Sequence, residues 1–266
     1  MYAIVLTFDR QIPFAQLVIR SYSKLWKSHP FIFRVPYNEV FPDSLSARSD
    51  VELIHTAKDI RSTMSNLLLG IDDDEFVFWT IDDRYPVQIR DFCGLERIVA
   101  FISENPASVD EIKLTNHGRE ICGREVQATF GSTQFRLQIE GKPLGFYMHH
   151  FVRAKVLRKH FLGFELPDRY TIYQVTEKLA QEKVTETILM PERSLIHFGE
   201  PCRRGKMTIN ALQDLRKYNI EVPNIEQGNQ VLVYGDRGEV IYNWRYKLER
   251  VRLRLERKLG ELWGLS

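Results

Sequence analysis

The chain has 266 residues, 44% of them apolar or aromatic, enough to bury one large α/β body with an appendage and too few for two equal domains. Its 37 basic and 35 acidic residues leave a formal charge of +2, which excludes the strong overall field of a general nucleic-acid binder. No apolar run approaches the roughly 18 residues needed to cross a bilayer, and the first residues lead straight into a strand pattern, so a cytoplasmic protein is expected.

The three cysteines, Cys93, Cys122 and Cys202, are far apart and form no metal-ligand spacing, which reads as reduced thiols. In chain order, residues 3–6 predict a strand that stops at Thr7-Phe8-Asp9-Arg10, and the spacing of Ala15, Leu17, Val18, Tyr22 and Leu25 predicts a helix. Strands follow at 31–35 and 51–55, then a helix over 60–69 ending at Gly70. Residues 76–79 form the most apolar strand, which runs into Thr80-Ile81-Asp82-Asp83-Arg84-Tyr85-Pro86, with a turn expected at 84–86. Beyond it, a helix is predicted over 95–102, strands at 111–114 and 135–139, helices over 152–161 and 173–180, extended segments at 188–190 and 195–198, and a helix from 206 through 215. Pro223 and Gly228 mark a break that divides a body, 1–222, from a C-terminal extension, 223–266.

The βαβαβ alternation favours a mostly parallel sheet with helices on both faces, whose ligands gather at the carboxyl ends of the strands. Asp82 and Asp83 sit at such an end. A hard divalent cation takes oxygen ligands of this kind, completed by phosphate oxygens and water. Adjacent residues on an unbroken strand face opposite ways, so both serve one site only if the chain turns there; otherwise the pair is a solvated turn or a helix cap. Asp72, Asp73 and Asp74, at the start of the same strand, read as a solvated turn.

Segment 76–86 resembles the strand and DXD-type motif of GT-A glycosyltransferases, in the looser form with Ile81 at the first position. The opening Ile4-Val5-Leu6-Thr7-Phe8-Asp9-Arg10, followed by Tyr22-Ser23-Lys24-Leu25-Trp26, is similar to the first nucleotide-binding unit of that superfamily, particularly its small bacterial and phage-type members. Segment 196–206, with His197, Arg203, Arg204 and Lys206, resembles the stretch where a late histidine completes the metal site and basic residues meet a diphosphate. The resemblance covers about residues 1–220 and implies a GT-A-like, Rossmann-type fold and a nucleotide-sugar-dependent transferase, with UDP-sugars favoured over GDP-sugars.

Residue by residue, the resemblance implies that Asp83 binds metal directly, that Asp82 contacts metal, its water or the ribose, and that Thr7, Phe8, Asp9 and Arg10 line the nucleotide pocket. His197 as a ligand favours manganese over magnesium, although a hydrogen-bonded core histidine is the plainer reading. Arg203, Arg204 and Lys206 suit a diphosphate or a solvated loop, and Arg61 a ribose or phosphate contact or a helix surface. An inverting transferase needs a carboxylate base for the acceptor hydroxyl of a saccharide or lipid-linked glycan; Glu165, Asp168 and Glu177 are available, Glu177 and Asp168 are the candidates, and a solvated helix carboxylate is the plainer reading of Glu177.

Residues 242–262 predict an amphipathic helix in which Trp244, Leu248, Val251, Leu255, Leu259 and Leu262 share one face and the other is basic. Its apolar stripe suits the catalytic body, a second subunit of a homo-oligomer, or the inner face of an anionic membrane. Two other classes compete with the glycosyltransferase: a sugar nucleotidyltransferase, against which the missing glycine-rich phosphate loop speaks, and a non-catalytic binding protein using the basic C-terminal segment.

Overall fold

The computed structural model describes residues 1–116, 125–137, 148–163, 174–175, 178, 186–199, 202–203, 206–222, 233–234 and 240–241. The elements of the first half are β1 (Tyr2–Leu6), a 3-10 turn (Asp9–Gln11), α1 (Ile12–Leu25), β2 (Ile32–Tyr37), α2 (Asp43–Ser46), β3 (Val51–His55), α3 (Ile60–Leu67), β4 (Phe76–Ile81), β5 (Tyr85–Ile89) and α4 (Phe92–Ser103). The second half adds β6 (Glu111–Lys113), β7 (Val126–Phe130), β8 (Thr133–Leu137), β9 (His150–Arg153), α5 (Ala154–Leu162), β10 (Ile188–Pro191), β11 (Ile196–Gly199), the hairpin β12 (Cys202–Arg203) and β13 (Lys206–Met207), α6 (Ile209–Lys217), and the pair β14 (Val233–Tyr234) and β15 (Val240–Ile241).

Among the described residues a nine-stranded sheet runs β3-β2-β1-β4-β9-β6-β10-β8-β7. Only β8 and β9 run against the other strands of this sheet. This is the mostly parallel, helix-flanked α/β arrangement that the sequence pattern predicts. β4 lies between β1 and β9 with all six residues buried, which explains its unbroken apolar run. Its side chains alternate between two core layers: Phe76 and Phe78 join α1 and α4 on one face, while Val77, Trp79 and Ile81 join α3 and α5 on the other.

Local chemistry starts and stops the helices. Asp59 caps α3 by accepting from Ser62 N at 2.7 Å, and Asp91 caps α4 by accepting from Gly94 N at 2.8 Å. Gly70, at φ +73°, supplies the left-handed residue shortly after α3. The acidic triplet is more than a solvated turn: Asp73 pairs with Arg158 and Asp74 with Lys155, while Asp73 O accepts the Lys155 N–H, so the segment before β4 anchors the first turn of α5.

Several expectations are corrected. The helix expected over 152–161 begins at Ala154, because His150–Arg153 is the strand between β4 and β6. Its polar members hid it. Arg153, 1% exposed, donates from Nε to Val109 O at 2.8 Å, from Nη1 to Asn105 Oδ1 at 2.8 Å and from Nη2 to Pro106 O at 2.6 Å, over the ring of Phe76. Glu111 and Lys113 of β6 are likewise buried and paired with each other, with His150 Nε2 3.4 Å from Glu111. The reversal expected at 84–86 occurs at Asp82-Asp83 instead, and Pro86 lies within β5. Among the described residues β5 pairs with β11 and no other strand, so its other edge needs no N–H from a proline. The helix expected from 206 begins at Ile209, after the β12–β13 hairpin. The amphipathic helix expected over 242–262 lies outside the described residues. Among the described residues no helix is long and apolar enough to cross a membrane.

Candidate functional site

The turns after the parallel strands form a cleft of about 840 Å³ at the carboxyl edge of the sheet. Leu6 ends β1 and Thr7 to Gln11 follow it, Asn38 to Val40 follow β2, Lys58, Ile60 and Thr63 come from the β3–α3 connection and α3, and Ile81 ends β4 with Asp82 and Asp83 after it. Thr7, Phe8, Asp9, Arg10, Asp82 and Asp83 are therefore brought together, as their positions after β1 and β4 required. Phe8 and Arg10 are exposed at the rim, and Asp83 is exposed at the turn.

Asp82 is the half-buried member of the carboxylate pair. Its Oδ2 accepts the Thr7 hydroxyl at 2.6 Å, a bond that crosses from β1 to β4. Burial pushes its carboxyl up to about 7, the Thr7 bond acts against this, and the neighbouring charge of Asp83 adds to it. Two adjacent carboxylates with one oxygen oriented fit a divalent ion that also takes phosphate oxygens and water. A raised acid makes folding pH-dependent in a defined sense. From about pH 4, where the unfolded side chain ionises, to about pH 7, the folded protein keeps a proton that the unfolded chain releases, so this group lowers stability as pH rises, by up to a few kcal/mol above pH 7. Asp82→Asn is expected to gain little stability at pH 4 and most at pH 8, measured by urea unfolding without metal. A variant less stable than wild type at pH 8 would contradict this.

Asp9 does different work from a ligand. Its carboxylate accepts the backbone N–H groups of Asn38 at 2.7 Å, Glu39 at 2.8 Å and Val40 at 3.1 Å, tying the turn after β1 to the loop after β2. Burial raises its carboxyl, but these three donors outweigh it and hold it below the ordinary range. Asp9→Ala is expected to cost about 1–2 kcal/mol, read as a lower urea midpoint, and to loosen the cleft wall. An unchanged midpoint would contradict the clamp.

Other expected residues lie elsewhere. His197 of β11 stands opposite Gln88 of β5, away from the β4 turn, and among the described residues no three histidine, cysteine, aspartate or glutamate side chains gather as a metal site. Arg61 is not on the cleft wall; its guanidinium donates to Leu162 O at 3.3 Å, bridging α3 to the end of α5. Arg203 and Lys206 fall on β12 and β13 with their own side chains outside the described residues, and Arg204, Asp168 and Glu177 lie outside them altogether.

Sequence reasoning missed Asn38, Lys58 and Thr63, which carry no local motif and reach the cleft only through the β2 and β3 register. It also gave no role to His149, which is fully buried behind the β4 turn. A second cleft, of about 500 Å³, opens along the same edge beyond β6 and β10, with Arg90, Asn116, Ser132 and Arg193 in its wall. There Asp91 accepts from Ser132 Oγ at 2.8 Å and Thr133 Oγ1 at 3.0 Å, and Gly131, at φ +61°, has no room for a Cβ against that carboxylate.

No protein-family model matches the chain, and no curated protein sequence matches it significantly. Among solved structures, the galactosyltransferase LgtC in complex with donor and acceptor sugar analogs overlaps at a TM-score of 0.39 and 10% identity, covering 68% of this chain and 64% of that one. An active-site mutant of LgtC overlaps at 0.37 and 9% identity, covering 70% and 67%. A cytidylyltransferase from Leptospira borgpetersenii overlaps at 0.36 and 12% identity, covering 88% and 99%. The chain spans about two thirds of the length of the LgtC structures it matches. These are distant similarities, and the activities belong to those proteins.

Proposed function

We propose that the chain is a metal-dependent glycosyltransferase that moves a sugar, a hexose in the first instance, from a nucleoside diphosphate to a hydroxyl acceptor. The observation that carries this reading is the Asp82-Asp83 turn inside a cleft of about 840 Å³ at the carboxyl ends of β1, β2 and β4. A cleft of that size suits a nucleotide sugar, and the carboxylate pair suits its diphosphate only through a cation between them.

Asp83 holds the metal, and Asp82, its Oδ2 oriented by Thr7, holds the metal, its water or the ribose. When bound, a manganese or magnesium ion supplies charge neutralisation for the departing nucleoside diphosphate. Phe8 offers an exposed ring to the base, and Arg10 places positive charge on the rim, where Lys58 is paired with Glu39. The protein's remaining task is to hold an acceptor hydroxyl at the anomeric carbon and remove its proton, for which Glu177 and Asp168 remain the candidates. The second cleft, along the same edge, is our choice for the acceptor, a saccharide or lipid-linked glycan. UDP-sugars are favoured over GDP-sugars and manganese over magnesium, with Arg203, Arg204 and Lys206 meeting the diphosphate. Residues 223–266 are the proposed extension through which the chain meets a second subunit or the inner face of a membrane in a cytoplasmic enzyme.

The test is a panel of UDP- and GDP-sugars with Mn²⁺, followed by release of nucleoside diphosphate with and without oligosaccharide acceptors. Acceptor-stimulated, metal-dependent release is expected. Pyrophosphate release from a nucleoside triphosphate and a sugar 1-phosphate, without sugar transfer, would make the chain a nucleotidyltransferase instead, and nucleotide binding with neither activity would make it a binding protein.

A further inference from the structure

His149 precedes β9 and is fully buried, on the sheet face covered by α1. Its ring packs against Tyr22 of α1, Phe78 of β4 and, with centroids 4.7 Å apart, Phe198 of β11. Nε2 lies 3.1 Å from Ile81 O, and Nδ1 lies 2.8 Å from the Tyr22 hydroxyl. A carbonyl oxygen can only accept, so Nε2 carries the proton, and Nδ1 must accept from the Tyr22 O–H. One tautomer and one ring orientation satisfy both bonds. Burial lowers the imidazole to about 3 despite the Ile81 carbonyl, and the Arg84 charge lowers it further, so the ring is neutral.

Ile81 is the last residue of β4, and its carbonyl belongs to the peptide plane that leads into Asp82. Fixing that plane sets the direction in which the chain leaves the strand. The Thr7 bond to Asp82 Oδ2 constrains the side chain that follows, so the turn is held at two successive points.

We propose that His149, oriented by Tyr22, is the positioning residue that locks the Ile81–Asp82 peptide and thereby places Asp82 and Asp83 for a divalent cation. This rests on the function proposed above. A histidine serving only to fill the core would need neither bond; an apolar ring of the same shape would serve. A partner that orients a metal ligand without touching the metal is worth about 10–100-fold in metal affinity.

Three variants separate the roles. His149→Phe keeps a ring and loses both bonds, His149→Asn reaches Tyr22 and falls short of Ile81 O, and His149→Gln can donate to Ile81 O while accepting from Tyr22. Each is titrated with Mn²⁺ in the presence of UDP, and in parallel GDP, by electron paramagnetic resonance, at a temperature where circular dichroism shows it folded. The Phe and Asn variants are expected to bind Mn²⁺ about tenfold or more weakly, with Gln restoring affinity to within about threefold. Metal-free nucleotide affinity should move much less. Wild-type Mn²⁺ affinity in folded Phe or Asn variants overturns the proposal, and the Asn variant decides if the Phe variant does not fold. If wild type itself binds no Mn²⁺–nucleotide, the functional reading fails, and the positioning role is then read from the amide resonances of Asp82 and Asp83. Displacement in His149→Asn and return in His149→Gln supports it, and unmoved resonances overturn it.

Discussion

Asp83→Ala is expected to remove metal-dependent nucleotide binding while leaving the fold intact. Asp83 is exposed at the tip of the β4 turn, so its carboxylate contributes little to packing, and the thermal midpoint should stay within about 1 °C of wild type. The loss in Mn²⁺-dependent affinity should exceed roughly 100-fold, because removing a direct oxygen ligand costs more than removing a group that only orients one. The partner variant, Asp82→Asn, keeps an oxygen to accept from Thr7 and should lose less. Calorimetry with nucleoside diphosphate and Mn²⁺ reads both. A folded Asp83→Ala protein with wild-type affinity would remove Asp83 from the site.

The largest loss of stability is expected from Arg153→Ala. The guanidinium is buried at the end of β9 and satisfies Val109 O, Pro106 O, Asp74 O and Asn105 Oδ1 while stacking on Phe76. It thereby joins the segment before β4 to the α4–β6 connection. Asn105, held at φ 50°, is one of the residues it secures. Truncation leaves the buried Val109 carbonyl and three part-buried acceptors without this donor, and a cavity beside Phe76. The expected cost is about 3–5 kcal/mol, or a fall of roughly 10 °C in midpoint for a chain of this size. Arg153→Lys keeps the charge but not the planar fork, so it should recover only part of the loss. A cost below about 1 kcal/mol for Arg153→Ala would contradict this account.

The same residue shows what the sequence made legible. Where side chains alternated with solvent or formed one apolar run, the reading worked: β1, β3 and β4 follow directly from their apolar positions, and α1 and α3 from helical spacing. β9 failed because His150 and Arg153 are buried with partners distant in sequence, which no local pattern reveals. β5 failed because Pro86 signals a turn, and only its edge position makes a proline acceptable in the strand. At the site, the residues after β1 and β4 were legible because strand ends in a parallel sheet converge. Lys58 and Thr63 were not, since their place depends on how β3 and α3 lie against β4. Asp9 was legible as a residue of the site, but its work as a clamp on the loop after β2 was not. His149 was least legible. A neutral histidine in an apolar core has no sequence signature, and its meaning lies in two bonds to atoms 127 and 68 residues away.

Titration of the wild-type protein with nucleoside diphosphates by calorimetry, with Mn²⁺ and with the metal chelated, addresses the nucleotide cleft itself. Binding of one nucleoside diphosphate that requires the metal, is displaced by the matching nucleotide sugar and perturbs the Thr7, Asn38 and Asp83 amide resonances is the expected result. Saturating nucleotide with Mn²⁺ or Mg²⁺ that produces no heat and leaves those resonances unmoved would contradict the account.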